Sequence, residues 1–216
     1  MNLPIIIVGA GGHALVVADA LLAAGAVVEG FTDANPEQHG RSLCGLPVLG
    51  DDSVLGRYDK QGFVLANGLG GLGKGEVPAR RLLQESLERQ GWRFCSVIHP
   101  GSIVSRFARL GSAVQIMAAC VVQAQAELGA GCIVNTAAVV EHEVSVGAWS
   151  HIAPGAIVCG QVRIGEASHV GAGATIRQAV RLGARSRVAA GAVVVRNFAD
   201  GAVLVGVPAR AQEQTA

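Results

Sequence analysis

Every sixth residue from Ile98 to Val194 is Val, Ile or Leu, seventeen positions without an interruption. A repeat this short marks a solenoid, in which each unit stacks on its neighbours and buries its apolar side against them. Two places before each rung from Leu110 onward the side chain is mostly small: Ala108, Val114, Cys120, Ala126, Cys132, Ala138. The rungs also sort into threes. Leu110, Leu128, Val146, Ile164 and Leu182 lie eighteen apart, and each precedes a glycine. The next set is small and nearly uncharged (IMAACV, VNTAAV, IAPGAI, VGAGAT, VAAGAV), and the third is polar (VQAQAE, VEHEVS, VCGQVR, IRQAVR, VVRNFA). Three short parallel strands per coil of eighteen describe a triangular prism, with residues eighteen apart stacked about 4.8 Å from each other. The pattern leaves the hand of the coil open, and ordinary crossovers would favour a right-handed path.

The residues before this ladder follow another grammar. The stretch "PIIIVGAGGHALVVADALLAAGAVVEGFTDAN" predicts a strand at Ile5–Val8, a glycine turn, a helix from His13 to Ala24 and a strand over Val27–Phe31, with Asp33 at its end. A third strand is expected at "FVLAN" (63–67). A second helix is expected within "EVPARRLLQESLERQGW", with Pro78 near its start and Gly91 at its stop. Strands alternating with helices imply a parallel sheet. The expected architecture is a Rossmann-like α/β domain over 1–97 followed by a parallel β-helix and C-terminal tail over 98–216, with His99-Pro100 at the junction.

Composition narrows the functions open to this fold. Half of the 216 residues are hydrophobic, 15% are charged and 4% are aromatic, so the core must be built from Val, Ile, Leu and Ala. A formal charge of +1 offers no basic footprint for nucleic acid or an anionic membrane. No apolar run approaches the roughly 18 residues of a spanning helix, and "MNLPIIIVGAGG" lacks the cationic start of a signal peptide. The five cysteines are odd in number and form no CxxC pair, which suits a reduced, cytoplasmic protein.

Three constellations carry candidate chemistry. "GAGGHA" (9–14) fits the strand–glycine turn–helix fingerprint of dinucleotide sites, and Asp33 lies near the spot where an acid grips a ribose. Taken alone this reads as NAD binding, although a tight structural turn has the same glycines, and the solenoid offers no nicotinamide pocket. "EHE" puts His142 beside Glu143 at an outward corner, between the small stacked neighbours Ala124 and Gly160. A general base paired with a carboxylate fits this arrangement; a solvated surface histidine is the alternative. A metal reading is weaker, because no third ligand is near. His151 should stack on His169, eighteen residues on, either as a ligand contact or as a structural pair.

The hexapeptide ladder, "GVPAR" after it, "GAGGH" in front and "NTAAVVEHEVSVGAWSHIAPGA" in the middle resemble the left-handed β-helix acyltransferases over nearly the full chain. Within them the chain is similar to the nucleotide-sugar N-acetyltransferases of bacillosamine or perosamine type and to related sialic acid O-acetyltransferases. The resemblance implies a left-handed coil and an acetyl-CoA-dependent acetyltransferase with no metal. It makes His142 the base and Glu143 its partner, and it gives the sugar nucleotide to Gly11, Gly12, His13, Asp33, Asn67 and Asn135. It gives acetyl-CoA to His151 and, along smooth small-residue corners, to Gly160, Ala172 and Ala190. It further implies a homotrimer acting in bacterial surface glycan synthesis, with acetyl-CoA and the sugar held between chains. O-acetylation of a sialic-type sugar by the same base is the alternative, and a nucleotide-binding scaffold without catalysis is the rival of another class.

Overall fold

The computed structural model describes residues 3–71 and 78–212, and the chain divides into two units, residues 1–100 and 101–216. In the first unit the strands and helices are β1 (Ile5–Val8), α1 (Gly12–Ala23), β2 (Val28–Thr32), β3 (Ser42–Leu43), β4 (Leu46–Gly50), β5 (Val64–Asn67) and α2 (Ala79–Arg89). They build one sheet in the order β3-β4-β2-β1-β5. β1 is all apolar because it is buried along its whole length between β2 and β5, both parallel to it. Ile6, Val8, Leu55, Leu65, Leu87 and Trp92 form a buried core beside it. Full burial of one such aliphatic side chain contributes about 1.5–3 kcal/mol.

The expected parallel sheet needs one correction. β3 runs antiparallel to β4, so the sheet is mixed. The hairpin turns through Cys44 and Gly45, both with positive φ (51° and 76°). That is the geometry of a two-residue mirror-image turn, which Asn-Gly or Asp-Gly usually signals. Cys-Gly carries no such signal. Residues 76–77, which the sequence joins to the second helix, and the tail residues 213–216 lie outside the described residues.

The second unit is the prism. Face I stacks Ile103–Val104, Val121–Val122, Val139–Val140, Ile157–Val158, Thr175–Ile176 and Val193–Val194. Face II stacks Arg109–Leu110, Glu127–Leu128, Ser145–Val146, Arg163–Ile164 and Arg181–Leu182. Face III carries Gln115–Ile116, Ile133–Val134, His151–Ile152, His169–Val170 and Arg187–Val188, followed by Val203–Val205, which pairs antiparallel with Arg210–Ala211. From Ile103 to Val194 the stacked pairs keep the eighteen-residue register, as in Val139 on Val121 and His169 on His151, while Val203 stacks on Arg187 at a spacing of sixteen.

The ladder residues from Ile116 to Val194 point inward and are buried, Ile116, Val140, Ile152 and Ile176 completely. Val104 and Leu110 are only half-buried, as befits the end of a stack whose last coil has a neighbour on one side. From Ala113 to Gly191 each corner is a two-residue turn whose second member is left-handed. Glycine takes that place at some coils, but Gln125, Glu143, Trp149 and Gln161 take it at others. A left-handed non-glycine residue costs roughly 1–2 kcal/mol. The N–H of that residue offsets the cost by donating to the carbonyl one coil before, as from Glu143 to Ala124 at 3.2 Å and from Gln161 to His142 at 2.9 Å.

Candidate active site

The edge between faces I and II carries the first cluster. His142 and Glu143 turn the chain from Val139–Val140 to Ser145–Val146, and both side chains are about half exposed. His142 Nδ1 lies 3.1 Å from Glu143 Oε2. An ionised carboxylate only accepts, so Nδ1 carries the proton and Nε2 of the neutral ring keeps a free lone pair. The same Oε2 accepts from Gln161 Nε2 at 3.2 Å. These two donors, His142 first and Gln161 second, hold the Glu143 carboxyl below the usual carboxylate range. The imidazole rests over Gly160, where a Cβ would stand 2.5 Å from Nε2. Glu141 Oε2 accepts weakly from the His142 backbone N–H at 3.4 Å.

A second cluster lies on face III and the edge it shares with face I. Asn135 Oδ1 accepts from the Thr136 N–H at 2.8 Å, so its NH2 group faces His151 Nε2, 3.2 Å away. His151 is buried, and its ring meets that of His169 edge-to-face with centroids 5.1 Å apart. Burial, and then the charge of Arg187 one coil further, push the His169 imidazole pKa down. Ala172 and Ala190 are exposed at the same edge in register with Pro154. Asn135 thus meets His151, and Ala172 and Ala190 follow along the same edge one and two coils beyond Pro154. Gly160 does not join them, because it sits under His142 at the other edge. His151 lies on the face opposite the His142 corner.

The glycine loop of the first unit is the third cluster. Gly11 caps α1 without a side-chain bond, and Gly11 and Gly12 are exposed at its N-terminus, where backbone N–H groups favour an anion. Asp33 Oδ2 accepts from the Ala10 N–H and Oδ1 from the Asn35 N–H, each at 2.8 Å. His39 Nε2 donates to the Asp33 carbonyl at 2.7 Å. Asn67 is buried: its Nδ2 donates to the Arg80 carbonyl at 2.8 Å and its Oδ1 accepts from Leu69. Asn67 therefore ties the end of β5 to α2 and shapes the loop that follows. That loop needs its glycines. A Cβ on Gly68 would stand 2.8 Å from the carbonyl oxygens of Val8 and Gly9, and one on Gly70 would stand 2.8 Å from His13 Cβ.

The sequence singles out the loop "ANGLGG" (66–71), which contains Gly70, but gives no role to Gln161 or His39. Gln161 was within reach, since it follows Glu143 by eighteen. Gly70 and His39 come near the site through loop packing that no period announces. Among the described residues, no group of three or more His, Cys, Asp or Glu side chains is placed to hold a metal ion. No helix among them is long and apolar enough to cross a membrane.

The family model of the PglD N-terminal domain matches residues 4–74. The acetyltransferase domain of PglB from Neisseria gonorrhoeae FA1090, solved in complex with acetyl coenzyme A, is 36% identical over 98% of this chain and 100% of that one, with a TM-score of 0.90. PerB from Caulobacter crescentus, solved with CoA and GDP-perosamine, is 36% identical over 97% of each chain, with a TM-score of 0.88. The chain belongs to the hexapeptide-repeat nucleotide-sugar N-acetyltransferases of bacillosamine and perosamine type.

Membership in these N-acetyltransferases fixes the hand of the coil as left, against the ordinary crossover preference. WeeI from Acinetobacter baumannii AYE, 21% identical over 98% of this chain and all of that one, shares the fold with a TM-score of 0.85. Comparison with curated proteins gives no match. Within this acetyltransferase chain Gly11, Gly12, His13, Asp33 and Asn67 fall inside the stretch that the family model covers.

Proposed function

We propose that this chain transfers the acetyl group of acetyl-CoA to the amino group of a nucleotide-linked amino sugar, as a cytoplasmic homotrimer serving bacterial surface glycan synthesis. The observation that carries the reading is His142, with Nδ1 held by Glu143 and Nε2 open at an exposed corner. In the reaction the sugar amine attacks the thioester carbonyl carbon and a C–N bond forms. His142 Nε2 takes the amine proton. The tetrahedral intermediate then collapses, the C–S bond breaks, and the imidazolium returns its proton to the departing CoA thiolate. Such a base typically contributes about 10²–10⁴ in rate.

The exposed Gly11 and Gly12 at the start of α1, with Asp33 and His13 nearby, support a diphosphate nucleotide on the first unit. Asn135 and His151, with the smooth edge at Ala172 and Ala190, support acetyl-CoA on the second, with Asn135 also facing the acceptor sugar. The trimer is supported by face I. Its outward column reads Ile103, Val121, Val139, Ile157, Thr175 and Val193, with Ile103 69% and Ile157 42% exposed. A second copy covering this apolar column meets a surface bounded by the His142 corner on one side and the Asn135 edge on the other. The acetylation reading is tested by incubating the purified protein with acetyl-CoA and UDP-, GDP- and CMP-linked amino sugars while following CoA release. One class should be turned over to an acetylated product. No release above the acceptor-free rate with any of them would overturn the reading.

A further inference from the structure

We infer that Gly160 and Gln161, the corner residues one coil beyond His142 and Glu143, are positioning residues that form a seat for the catalytic pair. The inference rests on His142 being the base, and two independent contacts carry it. First, the imidazole lies on Gly160, where a Cβ would come within 2.5 Å of Nε2 and 2.6 Å of Cε1. The backbone does not ask for glycine there, because Gly160 has no positive φ. The equivalent place on other coils of this edge holds Ala124, His142 and Gln178, so the corner itself tolerates a side chain. Glycine at 160 is explained by the ring above it. Second, Gln161 Nε2 donates to Glu143 Oε2, the same oxygen that His142 Nδ1 uses.

The second contact matters because the pair is exposed. A contact between two exposed side chains is held only weakly by itself, and a Glu143 rotamer swung into solvent would release Nδ1. The ring could then move its proton to Nε2, the tautomer that cannot accept one from the amine. Gln161 keeps the carboxylate turned toward the ring, and Gly160 lets the ring lie flat enough to stay there. The charged groups that contact the pair are Glu143 itself and Glu141.

The test uses the full-length protein with its acetyl acceptor. Gln161→Ala should lower kcat by about 3- to 10-fold, the loss of one net hydrogen bond in the barrier, with KM for both substrates unchanged. Gln161→Glu adds a carboxylate beside the imidazolium and stabilises it, so the acid limb of the kcat–pH profile should move to higher pH. A role in folding alone would leave that limb in place. Gly160→Ala should lower kcat at least about tenfold at an unchanged thermal midpoint, and in a His142→Ala background it should change neither. Parent kcat in both Gln161→Ala and Gly160→Ala, or an unmoved acid limb in Gln161→Glu, overturns the seat while an inactive His142→Ala leaves the base assignment standing. A fully active His142→Ala protein removes both.

Discussion

His142 and His151 are nine residues apart, half of one coil, so one stands at the edge between faces I and II and the other on face III. A side of six residues spans at most about 20 Å at ~3.3 Å per residue, which separates the two rings by on the order of 15 Å within one prism. A site that uses both must take them from two chains. The consequence can be measured with two single variants, His142→Ala and His151→Ala, each lowered by about 10² or more if it lacks one half of the site. When they are mixed in equal parts, an intact site needs His142 from a His151→Ala chain and His151 from a neighbouring His142→Ala chain. A mixed ring of three holds two chains of one variant and one of the other, so only one of its three clefts is intact and about one third of the parent activity should return. The assay is CoA release by mixed trimers isolated through two different affinity tags after joint refolding. Activity no greater than the sum of the separate variants, in trimers verified as mixed, would refute the shared site. Full activity in a verified monomer would do so as well.

His142→Ala alone should lower acetyl transfer by at least about 10² while the thermal midpoint stays at the parent value; transfer near the parent rate would remove His142 as the base. Asp33→Ala and His13→Ala should weaken the sugar nucleotide and leave acetyl-CoA affinity unchanged, and equal losses for both ligands in calorimetry would contradict this division of labour. The partly buried His169 has its pKa pushed below the ordinary 6.5, so the unfolded chain binds a proton there that the folded one does not. Stability should therefore fall as pH drops below about 6.5 toward the folded value, and be flat above it for this group. Thermal melts of His169→Gln should show a smaller acid loss; an identical acid loss would mean that His169 is not its source.

The prism was legible because its code is redundant. Seventeen rungs specify one period, and a miss at any single rung would leave it intact. That period also placed His151 on His169 without any structure. The first unit has no such redundancy. Its β1–α1–β2 start was visible because an all-apolar strand, a glycine turn and a long apolar helix agree with one another. The β3–β4 hairpin was not, because two short strands around Cys44-Gly45 depend on backbone angles that the residue names do not advertise. The site divides in the same way. His142 and Glu143 are adjacent in sequence and could be paired on sight. The separation of Gly160 from Ala172 and Ala190 follows only when each corner is assigned to its edge. All three are small turn residues, and composition alone groups them together.

Asp33 shows what a fingerprint leaves undecided. The glycine turn with an acid beyond it suggests that the acid faces a ribose. In this fold the carboxylate first serves the chain itself, drawing in the Ala10 N–H with one oxygen and the Asn35 N–H with the other. Each oxygen of an ionised carboxylate offers two lone pairs, so one acceptor position remains on each. The same group can therefore tie down the glycine loop and still receive a hydroxyl. Loop shape and ligand affinity are then coupled through one side chain. A dinucleotide and a sugar nucleotide both present a diphosphate and a ribose to such a loop, so the fingerprint alone does not tell them apart. What tells them apart lies on the second unit, where an open imidazole nitrogen waits at the corner.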